Sequence, residues 1–232
     1  MISTAIQNTS KEHADSSVKS IASRITLTGI DARTDLTALP EDVEIGILFS
    51  WRAVGNPRYP ARSVIAGMLE QLKATHRTSL HVCGRKARDK LIDYALPDLT
   101  HNVDRIQVNG SLLSEDLKIL CDLYSNHEII TQYRMGDYVG DPAQNHSLLV
   151  DASGGRGVLP DQWSRPATNK KVGFAGGISP DNILQVATDL AGIAQGDWWL
   201  DMESGIRDSE GWFCHDRANA VVAAVRNSHM QT

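Results

Sequence analysis

The stretch VGFAGGISPDN, Val172 to Asn182, decides how this chain is read. It opens with four strand-like residues and breaks at Gly176-Gly177. Glycine lacks a Cβ, so such a break turns sharply and lets a ligand come close to the backbone N–H groups. Ser179, Pro180 and Asp181 then read as a helix start: an N-cap residue, proline at the first helical position and an acid in the first turn. A strand, a Gly-Gly turn and a helix N-terminus together make a site suited to an anion. Two neighbouring stretches repeat the plan. LLVDASGGRG runs from Leu148 to Gly157, and WLDMESG from Trp199 to Gly205.

Working outward, strand and helix signals alternate along the chain. Strands are expected at Ile25–Gly29, Val43–Ser50, Thr78–Cys83, Val103–Asn109, Glu128–Gln132, Ser147–Asp151, Val172–Ala175 and Trp198–Met202. They are short and rich in Val, Ile and Leu, as when both faces of a parallel sheet are covered. Helices are expected at Arg62–Thr75, Ser114–Tyr124, Pro180–Ala194 and His215–Val225, with a brief one at Asp31–Leu39 and a loop over Arg134–Asn145. Eight strands with crossovers predict an α/β protein, a single (β/α)8 barrel, with an open doubly wound sheet as the alternative. No glycine fingerprint follows the first strand, which argues against a dinucleotide fold. In a barrel the glycine loops after the last strands form a phosphate grip. Gly155, Gly157, Gly176, Gly177, Ser204 and Gly205 are its candidate members.

Composition sets the outer limits. The chain has 232 residues, 41% hydrophobic and 22% charged, as in a soluble globular protein. Residues 1–22 are rich in Ser, Thr, Asn and charge and read as a flexible tail, leaving 23–232 for the barrel. Net charge is −5 without a basic cluster, so nucleic acid is not an expected partner. There is no membrane-length apolar run and no secretory signal, so a cytoplasmic monomer or homodimer is expected. Cys83, Cys121 and Cys214 lack metal-type spacing, and nothing calls for a metal or cofactor.

The strand ends resemble those of the phosphoribosylanthranilate isomerase family, (β/α)8 enzymes of tryptophan synthesis. The segments that carry the resemblance run in order: ITLTGID (Ile25–Asp31), Asn56-Pro57-Arg58-Tyr59, Gln107-Val108-Asn109-Gly110, Asp151 with Gly154-Gly155-Arg156-Gly157, Ala175–Asn182, and Leu200–Ile206. The resemblance implies an Amadori-type rearrangement of a phosphorylated sugar amine. An acid protonates the ring oxygen, and a base takes the proton from carbon 2. Asp151 matches the family acid. Arg58 matches the arginine that grips the anthranilate carboxylate, with Gln107 and Asn109 as further substrate-binding positions. Asn109 stands where the family has histidine. The family base is a first-strand cysteine, and this chain has Thr28 there. A threonine hydroxyl needs activation by another group. Cys83, Asp31 and Glu203 are the candidate replacements, and Glu203, beside a phosphate site, must point away, pair with a cation or mark a changed ligand. Arg156 and Arg134 could add charge at the mouth. His81, Trp198 and Trp199 read as packing residues. The implied activity is isomerisation of a phosphorylated sugar derivative; changed isomerase or lyase chemistry on another phosphorylated metabolite, or an inactive phosphometabolite-binding barrel, are the alternatives.

Overall fold

The structure is a computed structural model that describes residues 25–53, 56–134, 143–151, 153 and 156–229. The expected tail at 1–22, Gly154, Gly155 and most of the expected loop over Arg134–Asn145 lie outside the described residues.

The apolar runs form eight parallel strands: β1 (Ile25–Thr28), β2 (Glu44–Ser50), β3 (Arg77–Cys83), β4 (Arg105–Asn109), β5 (Glu128–Tyr133), β6 (His146–Asp151), β7 (Val172–Ala175) and β8 (Trp198–Met202). They pair in chain order, and β8 closes on β1 through Ile25↔Leu200 and Thr26↔Asp201. The closed barrel replaces the open-sheet alternative and leaves no strand edge unpaired.

The surrounding helices are α1 (Arg62–Leu72), α2 (Arg85–Ile92), α3 (Pro97–Thr100), α4 (Ser114–Leu123), α5 (Ile183–Ala191) and α6 (His215–His229). Helix α1 buries Ile65, Met68, Leu69 and Leu72, the i, i+3, i+4, i+7 stripe of an amphipathic helix. The expected helix at Asp31–Leu39 shrinks to a 3-10 turn at Leu36–Ala38, capped by Asp35. Helix α5 starts later than the Ser179-Pro180 signal suggests. Those residues form a turn in which Asn182 Oδ1 accepts from Ser179 N–H at 2.9 Å, and Asn182, not Ser179, is the N-cap position. Helix α2 carries only Ala87 and Leu91 as buried residues, too sparse a stripe to register in the sequence. Among the described residues the β6–β7 connection has no helix. Its Trp163 instead packs edge-on against Phe174, with ring centroids 6.1 Å apart.

The main core lies between the helices and the outer faces of the strands. Ile130, Leu149 and Trp199 form a separate small apolar group, from residues of the opposite parity. Trp198 and Trp199 are both buried, as expected, but on opposite faces of β8. Trp198 packs against Phe174 outside, and Trp199 fills space opened by Gly173, where an added Cβ would lie 2.1 Å from the indole.

Below that group sits a buried charge cluster. Arg105 donates to Glu44 at 2.9 Å, reaches Glu128 at 3.6 Å and lies 4.1 Å over the Trp199 ring. Thr26 donates to the same Glu44 oxygen at 3.0 Å. Removing one partner of a buried ion pair leaves an uncompensated charge, which typically costs about 3–5 kcal/mol. Arg105→Met is therefore expected to lose stability on that order in urea unfolding, with part of it regained in Arg105→Met/Glu44→Gln. A loss below about 1 kcal/mol, typical of exposed pairs, would contradict this account.

Candidate active site

The C-terminal ends of the strands surround a cavity of roughly 690 Å³. Its lining includes five arginines (Arg58, Arg88, Arg134, Arg156 and Arg207) against three carboxylates, those of Asp151, Asp201 and Glu203. The cavity is thus electropositive in a chain whose net charge is −5.

The glycine loops meet on one side of it. Gly157, Gly176 and Gly177 all have positive φ, at 68°, 119° and 66°. The loops also interlock. A Cβ on Gly157 would lie 2.1 Å from Ser204 Oγ, one on Gly177 would lie 2.3 Å from Leu159 N, and one on Gly205 would lie 1.9 Å from the Ile178 carbonyl. Five of the six expected grip residues therefore converge, and Gly155 lies outside the described residues. The Gly157 N–H is itself bound to Ser153 Oγ at 3.1 Å.

Asp151 ends β6 and faces the cavity. Its Oδ1 accepts from Ser153 N–H at 3.1 Å and from the Ser153 hydroxyl at 2.8 Å, while Oδ2 lies 3.4 Å from the Gln132 amide. Gln132 in turn accepts from Gly110 N–H at 2.8 Å. The sequence reading assigns no role to Gln132 or Ser153. The period-two alternation that turns Ile130 inward also turns Gln132 inward.

Gln107 and Asn109 sit two residues apart on β4 and on the same wall. Gln107 Nε2 lies 3.1 Å from His81 Nδ1 and donates to Asn109 Oδ1 at 3.0 Å; Asn109 donates to Cys83 Sγ at 3.2 Å. Burial lowers the His81 pKa to about 4, so this imidazole is neutral at pH 7. Burial pushes the Cys83 thiol up to about 11, the direction opposite to that needed for a base.

Glu203 turns to cations. Arg58 grips it in bidentate fashion, Nε to Oε1 at 2.6 Å and Nη2 to Oε2 at 2.8 Å, and Arg207 reaches Oε1 at 3.1 Å. Gly29 makes room for Arg207, since a Cβ there would lie 2.1 Å from the guanidinium. Asp31 is a buried anchor that accepts from Phe213 N–H at 2.7 Å and from Arg33 N–H at 2.9 Å. Arg156 is exposed and tied to the Ser153 carbonyl at 2.9 Å. Thr28 is buried, and its hydroxyl donates to Asp201 at 2.6 Å.

A (β/α)8 barrel with a polar, arginine-rich cavity at the strand C-termini belongs to a class of folds that places its chemistry at this face. The family model described as N-(5′-phosphoribosyl)anthranilate isomerase matches residues 87–216, more than half of the chain, and the chain belongs to this family. Among solved structures, phosphoribosyl anthranilate isomerase from Thermus thermophilus is 18% identical, with 88% of this chain and 99% of that chain covered and a TM-score of 0.64. TrpF from Jonesia denitrificans is 22% identical, with 88% and 97% covered and a TM-score of 0.63. A phosphoribosyl anthranilate isomerase in complex with reduced 1-(o-carboxyphenylamino)-1-deoxyribulose 5-phosphate is 13% identical, with 88% and 98% covered and a TM-score of 0.59. At these identities the likeness establishes the fold. No curated protein matches the sequence. Among the described residues no His, Cys, Asp and Glu cluster could hold a metal ion, and no helix is long and apolar enough to cross a membrane.

The raised thiol pKa has a direct chemical readout. Iodoacetamide labelling of native Cys83, followed by peptide mass mapping, is expected to be slow at pH 8 and to accelerate only as pH approaches 11. Rapid labelling at pH 8 would show that burial does not suppress its thiolate.

Proposed function

We propose that the protein is an acid–base isomerase of a phosphorylated sugar amine, the reaction that its family name describes on N-(5′-phosphoribosyl)anthranilate. The observation that carries this reading is the placement of Asp151 beside the interlocked glycine loops, inside an electropositive cavity. Backbone N–H groups and the arginine field suit a phosphate dianion. Gly157, Gly176, Gly177, Ser204 and Gly205 hold that end, and the sequence motif adds Gly155 as a further candidate. The distance from phosphate to ring then sets which sugar atom meets Asp151.

Asp151 acts as the acid. Its Oδ1 accepts two hydrogen bonds from Ser153 and its Oδ2 a single longer one from Gln132, so Oδ2 is the oxygen that carries the proton to the ring oxygen. As that proton arrives, the bond from the ring oxygen to carbon 1 breaks, and the amine nitrogen lone pair forms a protonated imine. Gln107 and Asn109 line the wall along the open chain. Of the candidate bases, Cys83 is held as a thiol and Glu203 is shared by two guanidiniums.

The Arg58–Glu203 pair favours a second reading. The guanidinium that would receive the carboxylate of anthranilate already holds one from the protein. A phosphorylated metabolite without that carboxylate, bound or turned over by the same cavity, fits this arrangement.

The test is turnover of freshly generated phosphoribosylanthranilate, followed by loss of anthranilate fluorescence. Turnover is expected, and Asp151→Asn is expected to lower kcat by ~10²–10⁴-fold. No turnover, with a reduced product analogue still raising Tm, would favour the second reading. Gly177→Ala, which forces a side chain into positive φ and against Leu159, is expected to weaken inorganic phosphate binding in calorimetry; unchanged affinity would remove the glycine loops from the phosphate site.

A further inference from the structure

One carboxylate on the cavity wall has no part in the reading above. Asp201 stands in the middle of β8, in the run Trp198-Trp199-Leu200-Asp201-Met202. It is 6% exposed and still lines the cavity. The register sets its height: Asp151 pairs with Ala175, and Ala175 pairs with Asp201. The two carboxylates therefore lie level on β6 and β8, with only the methyl group of Ala175 on the strand between them. From the other side, β1 supplies Thr28, whose hydroxyl donates to Asp201 Oδ1 at 2.6 Å. Gly46 on β2 leaves the space that Thr28 needs, since a Cβ there would lie 2.3 Å from the threonine oxygen.

The surroundings keep this carboxylate within reach of a proton at neutral pH. Burial pushes its pKa up to about 7. Glu203 pushes in the same direction, as Asp151 does once it has given up its proton, and the Thr28 hydrogen bond and Arg105 below oppose them. His81, the titratable group next to Thr28, is neutral and contributes no cation. A base poised near the working pH is the best compromise between being deprotonated and being strong enough.

We propose that Asp201 is the base that takes the carbon-2 proton of the ring-opened substrate, and that Thr28 is a positioning residue that holds its carboxylate toward the cavity. The assignment rests on the isomerase reading. Once Asp151 has opened the ring, Asp201 removes the proton from carbon 2. The C–H electron pair forms the double bond between carbons 1 and 2, and the imine π electrons return to nitrogen. The carbon-2 hydroxyl then gives its proton to Asp151, a carbonyl forms at carbon 2, and carbon 1 takes the proton from Asp201. Both carboxyl groups return to their starting states, and no oxidant or reductant is consumed.

The experiment combines kinetics with a titration that needs no substrate. For the wild type, kcat/KM is expected to rise with pH through about 7, as Asp201 deprotonates. Asp201→Asn is expected to lose ~10²–10⁴-fold in kcat while binding the reduced product analogue as the wild type does. Thr28→Val removes a hydrogen bond that stabilises the carboxylate, so the acid limb is expected to move to higher pH and to return with Thr28→Ser. In carboxyl-13C aspartate NMR, the wild type is expected to show a resonance titrating near neutrality that is absent from Asp201→Asn. Wild-type turnover that survives in Asp201→Asn overturns the base assignment and leaves the isomerase reading standing. Absence of any aspartate titrating near neutrality overturns it irrespective of activity. No wild-type turnover overturns the isomerase reading, and this assignment with it.

Discussion

Closure of the sheet is the constraint on which everything else in this molecule depends. Each strand is paired along both edges, so a strand cannot slip by one residue without breaking two ladders and reversing the direction of every side chain it carries. Parity then decides what enters the barrel. On β4 it is Arg105, Gln107 and Asn109; on β6, Leu149 and Asp151; on β8, Trp199 and Asp201. The interior is consequently layered. A charged floor built on Arg105, Glu44 and Glu128 lies under a thin apolar sheet of Ile130, Leu149 and Trp199, and the polar cavity opens above it. The floor holds the lower strand ends while the loops above are free to be shaped for a ligand.

Much of this was legible because a strand covered on both faces is apolar along its whole length. The eight expected strands match the observed ones to within a residue or two, and β7 and β8 match end to end. Local signals were weaker wherever a side chain was used for something other than its commonest job. Ser179 and Pro180 look like a helix start but make a turn, with Asn182 binding back to Ser179 and Gly177. Helix α2 has Gly84 at its N-cap position, which offers no side-chain cap, and buries two residues, so neither its start nor its stripe was visible.

The candidate site divides in the same way. Its glycines and Asp151 are marked by short motifs and could be found one strand at a time. The partnerships could not. Thr28 and Asp201 are 173 residues apart, and Arg58 and Glu203 are 145 apart. Only the meeting of β8 with β1, and of the β8 end with the loop after β2, shows that each pair exists. A threonine in the first strand reads alone as the loss of a base. Beside a buried carboxylate it reads as one half of a hydrogen-bonded pair. Glu203 changes meaning as well, from a repulsive charge near a phosphate to the anchor that orders Arg58 and Arg207.

The contact of Trp199 with Gly173 bears on the history of this chain. The indole occupies the volume that a side chain on β7 would fill, and its face carries the Arg105 guanidinium. Neither position is free to drift alone. Any larger residue at 173 needs a smaller one at 199, and that smaller residue uncovers the arginine. Descent through this region of sequence space therefore requires paired or neutral intermediate changes, and positions 173, 199 and 105 should vary across relatives as a linked set rather than one by one.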